Sequence, residues 1–283
     1  MEGTDIIAHI YPYKNSEIAT DAIKASPQYV APIPQTHLTD NSAQSDLDPL
    51  PHVEIRFHDT PRSKRGIVFG SNPNCDMFLD DPGVSSQHFS LTFDETKHLI
   101  VKDLGSLNGT QVTYDDNGAG KRRDFHWIVG GAKTPRDMTK IINVNDSVLF
   151  QIVVPDYNIE SPEYIDRVNL FCQGRSTAEE LLDDLCVDLP ITQTYTDTHT
   201  SRTDDIFLRK VLGEGSFGVV THCWNVSNGR EYALKTPTTQ AIRTDKFRLG
   251  DWEREAAIMR PLSHVCPSLV YYKRLSIISE IFS

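Results

Sequence analysis

Two groups of residues in this chain of 283 residues have the chemistry to bind phosphate groups. Gly213, Gly215 and Gly218 form a G-x-G-x-x-G pattern, in which residues without side chains let backbone amides approach a phosphate closely. Ser85 and Asn108 supply hydroxyl and amide donors, which can bind a phosphate without burying a charge. The sequence therefore predicts two phosphate-binding regions, and each depends on the strands and loops that position it.

The segment after the glycines favours a nucleoside triphosphate as the ligand of the first region. In dinucleotide-binding folds a helix follows the last glycine, whereas here the β-branched run Val219–Thr221 predicts a strand. Lys235 lies on a further predicted strand, and Glu255 lies on a helix predicted over Lys246–Leu262. We expect Val220 to cover an adenine and Lys235 to neutralise the α- and β-phosphates of ATP, with an acidic residue of the helix, Glu255 or Glu253, holding the lysine extended. The alternative is that the lysine and the helix glutamate are both solvated.

Short strand-like runs separated by glycine, asparagine, aspartate and proline predict a β-sandwich in the middle of the chain. These runs are Val53–Phe57, Gly66–Gly70, Gln87–Phe93, Leu99–Val101, Gln111–Tyr114 and Ser147–Val154. Loops at one end of a sandwich converge, so Gly70, Ser85 and Asn108 can contribute to one pocket. The alternative is that Asn108-Gly109 is only a hairpin turn and that Ser85 only caps a loop.

The order and spacing of these residues resemble a forkhead-associated (FHA) domain over about residues 53–154. The resemblance is carried by Gly70, Ser85-x-x-His88 and the Asn108-Gly109-Thr110 turn. It implies a β-sandwich that binds phosphothreonine peptides, with Ser85 donating to the phosphate and Asn108 holding the peptide backbone. The phosphopeptide-binding residues that it implies are Gly70, Ser71, Ser85, Ser86 and Asn108. Structural roles fall to His88, Gly109 and Thr110.

Two positions depart from the FHA pattern. Ser71 stands where arginine is usual, and Leu107 stands where serine or threonine is usual. The loss of a charge-assisted hydrogen bond costs about 1.5–3 kcal/mol, or about 10- to 150-fold in affinity. We therefore expect weakened phosphopeptide binding, and Lys64 and Arg65 are the nearby cations that could compensate.

The glycine-rich segment, the lysine and the helix glutamate resemble the start of a protein kinase. The resemblance implies Glu255 rather than Glu253 as the partner of Lys235, because Ile258-Met259 follows Glu255 at the spacing of that family. An FHA domain, a linker and a kinase in this order resemble FHA-bearing serine/threonine kinases of the calmodulin-kinase-like group, which includes fungal checkpoint-effector and meiotic kinases. Neither a His-Arg-Asp nor an Asp-Phe-Gly motif occurs, so no catalytic residue is assigned.

Two hypotheses follow from the missing catalytic motifs. In the first, a phosphothreonine-recognition module is fused to a truncated, inactive kinase N-lobe with an ATP-binding signature. In the second, the chain is the N-terminal fragment of an active kinase. Such a kinase would transfer the γ-phosphate of ATP to protein serine or threonine with the help of magnesium.

The predicted fold class is mainly β, in four segments. They are a flexible leader over 1–51, the FHA-type sandwich over 53–154, an acidic, threonine-rich linker over 155–205 and a partial α+β kinase N-lobe over 206–283. Helices are expected at Glu17–Lys24 and, in the linker, at Ser176–Leu185. Residues 115–140 are interpreted as an insertion with an extra hairpin around Phe125–Val129.

The linker holds 12 Asp and Glu against 3 Lys and Arg. Its segment Thr192–Thr203 offers phosphorylation sites that the FHA domain of a second molecule could bind, which predicts self-association. The alternative is a solvated spacer.

Composition argues against nucleic-acid-binding, disulfide-rich, secreted and membrane-spanning proteins. The net charge of -11 argues against a nucleic-acid-binding surface, which needs clustered Lys and Arg. The five cysteines are scattered, so we expect free thiols in a reducing compartment and no metal site. The sequence shows neither a signal peptide nor an apolar run of about 20 residues, as a membrane helix needs. We expect a soluble, intracellular protein of the nucleus or cytoplasm, with phosphothreonine-containing proteins as partners.

Overall fold

The computed structural model describes residues 5–32, 50–131, 134, 138–175, 206–215 and 218–238, together with the single positions 243, 250 and 254. The chain divides into two compact units, Met1–Asp204 and Asp205–Ser283. The first unit contains a β-sandwich and the second a three-stranded sheet. The predicted fold class, mainly β with a sandwich that precedes a kinase-like sheet, is confirmed.

Two sheets form the sandwich of the first unit. One has six strands in the order β2-β3-β1-β11-β10-β8, and the other has five in the order β5-β4-β6-β7-β9. The strands and helices are β1 Ile6–Pro12, α1 Glu17–Ala25, β2 Tyr29–Val30, β3 His52–Arg56, β4 Ile67–Gly70, β5 Met77–Phe78, β6 Phe89–Phe93, β7 Leu99–Asp103, β8 Gln111–Tyr114, β9 His126–Gly130, β10 Lys140–Asn145, β11 Val148–Val153 and α2 Pro162–Gln173. The six predicted strands therefore form, at slightly different bounds.

Aromatic side chains hold the two sheets together. The rings of Phe69 on β4 and Phe89 on β6 are stacked at 4.4 Å between centroids. Phe150, from β11 of the opposite sheet, meets Phe69 edge-on at 5.8 Å. Trp127 on β9 is 1% exposed and fills another part of the core. This packing fixes the ends of β4 and β6, from which the predicted site loops leave.

The prediction that residues 1–51 form a flexible leader is wrong for residues 5–32. β1 lies inside the six-stranded sheet, where it pairs with β3 on one side and β11 on the other. Ala8 and Ile10 on β1 are fully buried, so this strand belongs to the core of the sandwich. The many Pro, Ser, Thr, Gln and Asp residues of 1–51 as a whole favoured a flexible leader, although the run of β1 itself is apolar. The strand partners of β1 lie far away in sequence.

The predicted helix at Glu17–Lys24 is confirmed as α1. Ser16 caps its first turn, since the Ser16 hydroxyl oxygen accepts a hydrogen bond from Ala19 N at 3.2 Å. Ala19 and Ile23 are fully buried beneath the helix. The leader therefore contributes two strands, β1 and β2, and one helix to the sandwich unit.

The prediction that residues 155–205 are only a linker is wrong for α2. Tyr164, Val168 and Phe171 recur at helical spacing on one face of α2, and all three are buried. The Phe171 ring meets Phe93 of β6 edge-on at 5.6 Å. Gly174 ends the helix at φ +59°, where a β-carbon would lie 2.5 Å from the Ser63 carbonyl oxygen. The net acidity of the segment hid this apolar face.

Residues 115–140 are not an insertion with a separate hairpin. β9, which includes most of the predicted hairpin, pairs with β7 and forms the edge of the five-stranded sheet. Its residues Trp127, Ile128 and Val129 are buried in the core. β10 begins at Lys140 and pairs with both β8 and β11. The turn-rich sequence around these strands concealed their places in the two sheets.

The second unit contains a three-stranded antiparallel sheet in the order β12-β13-β14. Its strands are β12 Phe207–Glu214, β13 Gly218–Asn225 and β14 Glu231–Pro237. Trp224 is 1% exposed and packs among the buried apolar residues of this unit. The turn between β13 and β14 is stabilised by Asn225, whose side-chain oxygen accepts from Ser227 N at 2.9 Å. Gly229 completes the turn at φ +66°.

Two predicted helices fall on residues that are barely described or not described. Ser176–Leu185 lies outside the described residues. Of Lys246–Leu262, the structure describes only positions 250 and 254, and both are helical. Across the described part of the chain, no helix has the length and apolar character needed to cross a membrane.

Candidate functional site

Gly70 lies where two loops of the sandwich come into contact. A β-carbon on Gly70 would lie 2.2 Å from the carbonyl oxygen of Ser86, so a larger residue would push the loops apart. Ser71 N donates to Ser85 O at 3.0 Å, and Asn72 N donates to Ser86 O at 3.1 Å. Gly70 therefore acts by letting the loop that carries Ser71 pack against the loop that carries Ser85 and Ser86.

The Ser85 hydroxyl lies at the junction of the second and third predicted loops. Its oxygen accepts a hydrogen bond from Leu107 N at 2.8 Å. A hydroxyl has one proton and two lone pairs, so this bond leaves the proton of Ser85 to donate to a ligand. Ser85 is half-buried and Ser86 is exposed. The structure therefore places the predicted phosphate donor at the surface, beside the backbone of the third loop.

Asn108 lies on the same side of the sandwich as Ser85. Its side-chain nitrogen donates to Gly83 O at 2.8 Å, and Gly83 N donates to the Asp81 carboxylate at 2.7 Å. The side chain of Asn108 is exposed. The backbone carbonyl of a bound peptide could replace the Gly83 carbonyl as the acceptor of this hydrogen bond from Asn108.

His88 fastens the two loops from inside the protein. Ser85 N donates to His88 Nδ1 at 3.1 Å, and His88 Nε2 lies 3.3 Å from the Gly109 carbonyl oxygen. A backbone amide can only donate and a carbonyl can only accept, so the imidazole is neutral with its proton on Nε2. Burial lowers the pKa of His88 below its ordinary value, although the bond to Gly109 opposes this shift. His88 therefore contacts the loops and not the solvent-facing side of the site.

Asp103 is a positioning residue that the sequence did not reveal. Its carboxylate is buried and accepts hydrogen bonds from the hydroxyls of Ser106 at 2.6 Å and Thr110 at 2.7 Å. The backbone amides of Gly105, Ser106 and Asp124 also donate to it, each at 3.0 Å. Burial raises the pKa of Asp103, but these hydrogen bonds outweigh burial and hold its pKa below the ordinary value. Thr110 and the turn before it are thus anchored to an ionised carboxylate.

The two unusual positions, Ser71 and Leu107, differ in how they affect the site. The Ser71 hydroxyl donates to Val84 O at 2.9 Å, so its proton serves the loop and not a ligand. Leu107 is 70% exposed, which leaves an apolar side chain on the surface next to Ser85. Arg65, one of the two cations considered as replacements, donates to the side chain of Gln87 on the Ser85 loop. Arg65 therefore lies beside that loop.

Arg122 is a cation next to the Asn108 turn that no sequence motif indicated. Arg122 exchanges two backbone hydrogen bonds with Thr110, at 2.8 and 2.9 Å. The position of Gly109 favours glycine for two reasons. A β-carbon there would lie 3.0 Å from the Arg122 carbonyl oxygen, and the backbone has a φ of +74°. The Thr110 to Arg122 pairing joins residues far apart in sequence, so only the folded chain reveals it.

The glycine-rich segment of the second unit forms a hairpin between β12 and β13. Gly215 N donates to Gly218 O at 2.9 Å and closes the described part of the turn. No atom lies within 4 Å of a β-carbon placed on Gly213, so this glycine is not required by packing among the described residues. Val220 lies directly opposite Lys235 across β13 and β14. Glu255, the predicted partner of that lysine, lies outside the described residues.

Comparison with known families identifies the sandwich. The FHA domain model matches residues 67–122, a segment that includes the Gly70, Ser85, His88 and Asn108 cluster. The sandwich contains an FHA domain.

Kinase-like sequence accompanies the FHA domain. The chain is 41% identical over 76 residues to the calcium/calmodulin-dependent protein kinase type II subunit delta of Oryctolagus cuniculus. That match covers 26% of this chain and 13% of the kinase, so the chain spans a small part of this curated relative.

Two solved structures are similar at low sequence identity. Rad53 1-466 in complex with AMP-PNP is 16% identical with a TM-score of 0.38, over 92% of this chain and 51% of that chain. Mycobacterium tuberculosis EmbR in complex with a low affinity phosphopeptide is 18% identical with a TM-score of 0.24, over 33% of this chain and 21% of that chain. At such scores neither likeness bears on the ligands of this chain.

Proposed function

We propose that the first unit binds phosphothreonine peptides at the site formed by Ser85, Ser86 and Asn108. The observation that carries the proposal is the junction at Ser85. There a half-buried hydroxyl accepts from Leu107 N and keeps its own proton for a ligand. The FHA match over residues 67–122 supports a phosphothreonine as that ligand.

We further propose that this site binds its peptide weakly. The Ser71 hydroxyl is already used by Val84 O, and it brings no charge to a doubly negative phosphate. An arginine at this position would add a charge-assisted bond, which contributes about 1.5–3 kcal/mol. The peptides, and the proteins that contain them, would therefore be held mainly by neutral donors.

The experiment is a titration of the full chain into a fluorescent peptide with a central phosphothreonine, followed by anisotropy. The same peptide with unmodified threonine is the reference. Ser71→Arg should tighten binding of the phosphorylated peptide by about tenfold or more, whereas Ser85→Ala should weaken it by about tenfold or more. The unmodified peptide should bind weakly to all three proteins.

A matched control comes from Asn117, an exposed turn residue whose side chain bonds to Asp115 O. Asn108→Ala should weaken phosphopeptide binding, and Asn117→Ala should leave it unchanged. If Ser71→Arg and Ser85→Ala both leave affinity unchanged, the site is not the one described.

A nucleotide is a second candidate ligand, at the hairpin of the second unit. The opposition of Val220 and Lys235 across two strands favours it, since one residue can contact a base while the other contacts phosphates. We propose ATP as that nucleotide. Phosphoryl transfer to protein serine or threonine would belong to a longer protein that also holds a catalytic aspartate and magnesium ligands.

Binding of ATP can be measured by titrating a fluorescent ATP analogue into the full chain, with and without magnesium. Binding that is displaced by unlabelled ATP and lost in Lys235→Met supports the proposal. Binding that survives Lys235→Met, or none at millimolar nucleotide, contradicts it.

A further inference from the structure

A group of metal-binding side chains lies in the six-stranded sheet, on strands that the phosphopeptide site does not use. His9 on β1 is paired directly with Glu54 on β3. His52 precedes Glu54 by two residues on β3, so both project from the same face of the sheet. The register of the two strands thus brings two imidazoles and a carboxylate together from segments more than forty residues apart in sequence.

The potential ligand atoms already lie close to a coordination geometry. His9 Nδ1 is 4.0 Å and His52 Nε2 is 3.8 Å from Glu54 Oε1, and all three atoms lie within 4.8 Å of one another. Ligands of a tetrahedral zinc ion lie about 3.3 Å apart, as metal–ligand bonds of about 2.0–2.1 Å require. Side-chain movements of about an ångström, with no change in the strands, would therefore surround one ion.

Hydrogen bonds and an ion pair orient two of the three potential ligands, His52 and Glu54. His52 Nδ1 lies 3.1 Å from the Leu50 carbonyl oxygen, which can only accept, so the ring proton is on Nδ1 and the lone pair is on Nε2. A metal-binding histidine characteristically donates its other ring nitrogen to such an oxygen. Arg56 bonds to Glu54 Oε2, which leaves Oε1 towards the histidines. Arg56 orients the carboxylate, although its charge also opposes a nearby dication.

The surroundings restrict the movement of the imidazoles while leaving the group accessible. The ring of Tyr11 is stacked on His52 at 4.8 Å, and the two histidine rings lie 5.3 Å apart. The side chains of His9, His52 and Glu54 are 22%, 11% and 18% exposed. A metal ion could therefore enter from solvent and keep a water molecule as its fourth ligand.

We propose that His9, His52 and Glu54 bind a divalent transition-metal ion, with zinc as the best fit to two imidazoles and one carboxylate. The ion links β1 to β3 and so secures the amino-terminal strand inside the sandwich. Binding to the native state alone stabilises a protein in proportion to the logarithm of metal concentration over the dissociation constant. We therefore expect the ion to increase the free energy of unfolding of the first unit.

The experiment uses the full chain, treated with a chelator and then titrated with zinc by calorimetry, and with cobalt by visible absorption. The expected result is one zinc per chain, a rise of several degrees in the melting temperature and no response to magnesium. Cobalt should give absorption bands typical of nitrogen and oxygen ligands. Intense thiolate bands would place the metal on cysteine and overturn the proposal.

Variants of the site separate specific binding from binding to other histidines. His52→Gln and Glu54→Gln should each weaken zinc binding at least tenfold and abolish the zinc-dependent rise in melting temperature. Arg56→Gln should tighten it, because the competing charge is removed. His58→Gln changes an exposed histidine that pairs with Asp5, and should bind zinc as the unaltered chain does.

Loss of zinc binding in a variant must be distinguished from misfolding of that variant. The circular dichroism spectrum and the melting temperature of each metal-free variant are therefore compared with those of the unaltered chain. Glu54→Gln also retains the size of the side chain. Zinc binding that is unchanged in both folded variants, or absent from the unaltered chain, overturns the proposal.

Discussion

His88 shows how a single buried residue can order a site without touching its ligand. Its two ring nitrogens bond to Ser85 N and Gly109 O, and so connect the loops on which Ser85 and Asn108 lie. Asp103 does the same for Thr110 and Ser106 through its carboxylate. Both polar groups are buried and hydrogen-bonded, and losing such a partner leaves an unsatisfied group that costs about 1–3 kcal/mol.

The neutral state of His88 predicts a pH dependence of stability. Burial lowers its folded-state pKa, while the unfolded chain has the ordinary pKa of about 6.5. As the pH falls below that value, the unfolded chain binds a proton that the folded chain does not, so the free energy of unfolding decreases. The contribution of His88 is therefore present above about pH 6.5 and is lost as the pH falls towards the folded-state pKa.

His88→Gln checks this prediction, because glutamine can accept from Ser85 N and donate to Gly109 O without titrating. Urea unfolding of both proteins between pH 5 and 8 should show a shallower fall for the variant below about pH 6.5. Identical pH profiles would mean that His88 is not held neutral. Other titrating groups are common to both proteins and cancel in the difference.

At the scale of elements, strand β1 and helix α2 are parts of the sandwich unit that lie outside the predicted FHA segment 53–154. β1 joins β3 to β11, and without it two strands of the six-stranded sheet would have unpaired edges. α2 covers Phe93 of β6 with Phe171. Both elements flank the segment matched by the FHA domain model, which covers residues 67–122.

Ile10 provides a test of β1, since it is fully buried. Ile10→Ala should lower the free energy of unfolding by about 2–5 kcal/mol, because it leaves a cavity in the core. Val153, on the neighbouring strand β11, is 37% exposed, and Val153→Ala should change stability by less. Urea unfolding measures both, and equal effects would show that β1 is not in the core.

Phe171 and Leu170 form a matched pair on α2, being adjacent in sequence and opposite in burial. Phe171 is 2% exposed, whereas Leu170 is 64% exposed. Phe171→Ala should lower the free energy of unfolding of the sandwich unit by about 3–5 kcal/mol, and Leu170→Ala by about 0.5 kcal/mol or less. A similar small loss for both variants would contradict the packing of α2.

At the scale of the whole molecule, the residues of the proposed phosphopeptide site all belong to the first unit. The second unit has its own buried residues, among them Trp224 and Leu234. The proposed recognition of a phosphopeptide and the proposed binding of ATP therefore draw on different cores. Self-association through Thr192–Thr203 stays a prediction, since that segment lies outside the described residues.

The division into units predicts separable unfolding of the full chain. Trp224→Ala removes a large core side chain and should destabilise the second unit by about 3–5 kcal/mol. Calorimetry should show one transition shifted and one unchanged, and the affinity for a phosphothreonine peptide should stay within about twofold. A matching loss of peptide affinity would show that the first unit needs the second.

Local sequence motifs were enough to predict the sandwich of the first unit and the hairpin sheet of the second. The spacing of Ser85, His88 and Asn108 predicted the FHA-type loops, and the glycine pattern with Lys235 predicted the hairpin sheet of the second unit. Such features are readable because the turn chemistry and strand alternation on which they depend are local. The helix α1 was likewise predicted, at Glu17–Lys24.

Contacts between segments distant in sequence could be identified from the folded chain alone. The pairing of β1 with β3 and β11, the packing of α2 and the bonds of Asp103 to Thr110 join residues separated along the chain. The same holds for His9 and Glu54, which become neighbours through strand register. Hydrogen bonding and burial depend on the final positions of all partners. The average composition of residues 1–51 and 155–205 therefore did not predict that β1, α1 and α2 pack against the sandwich.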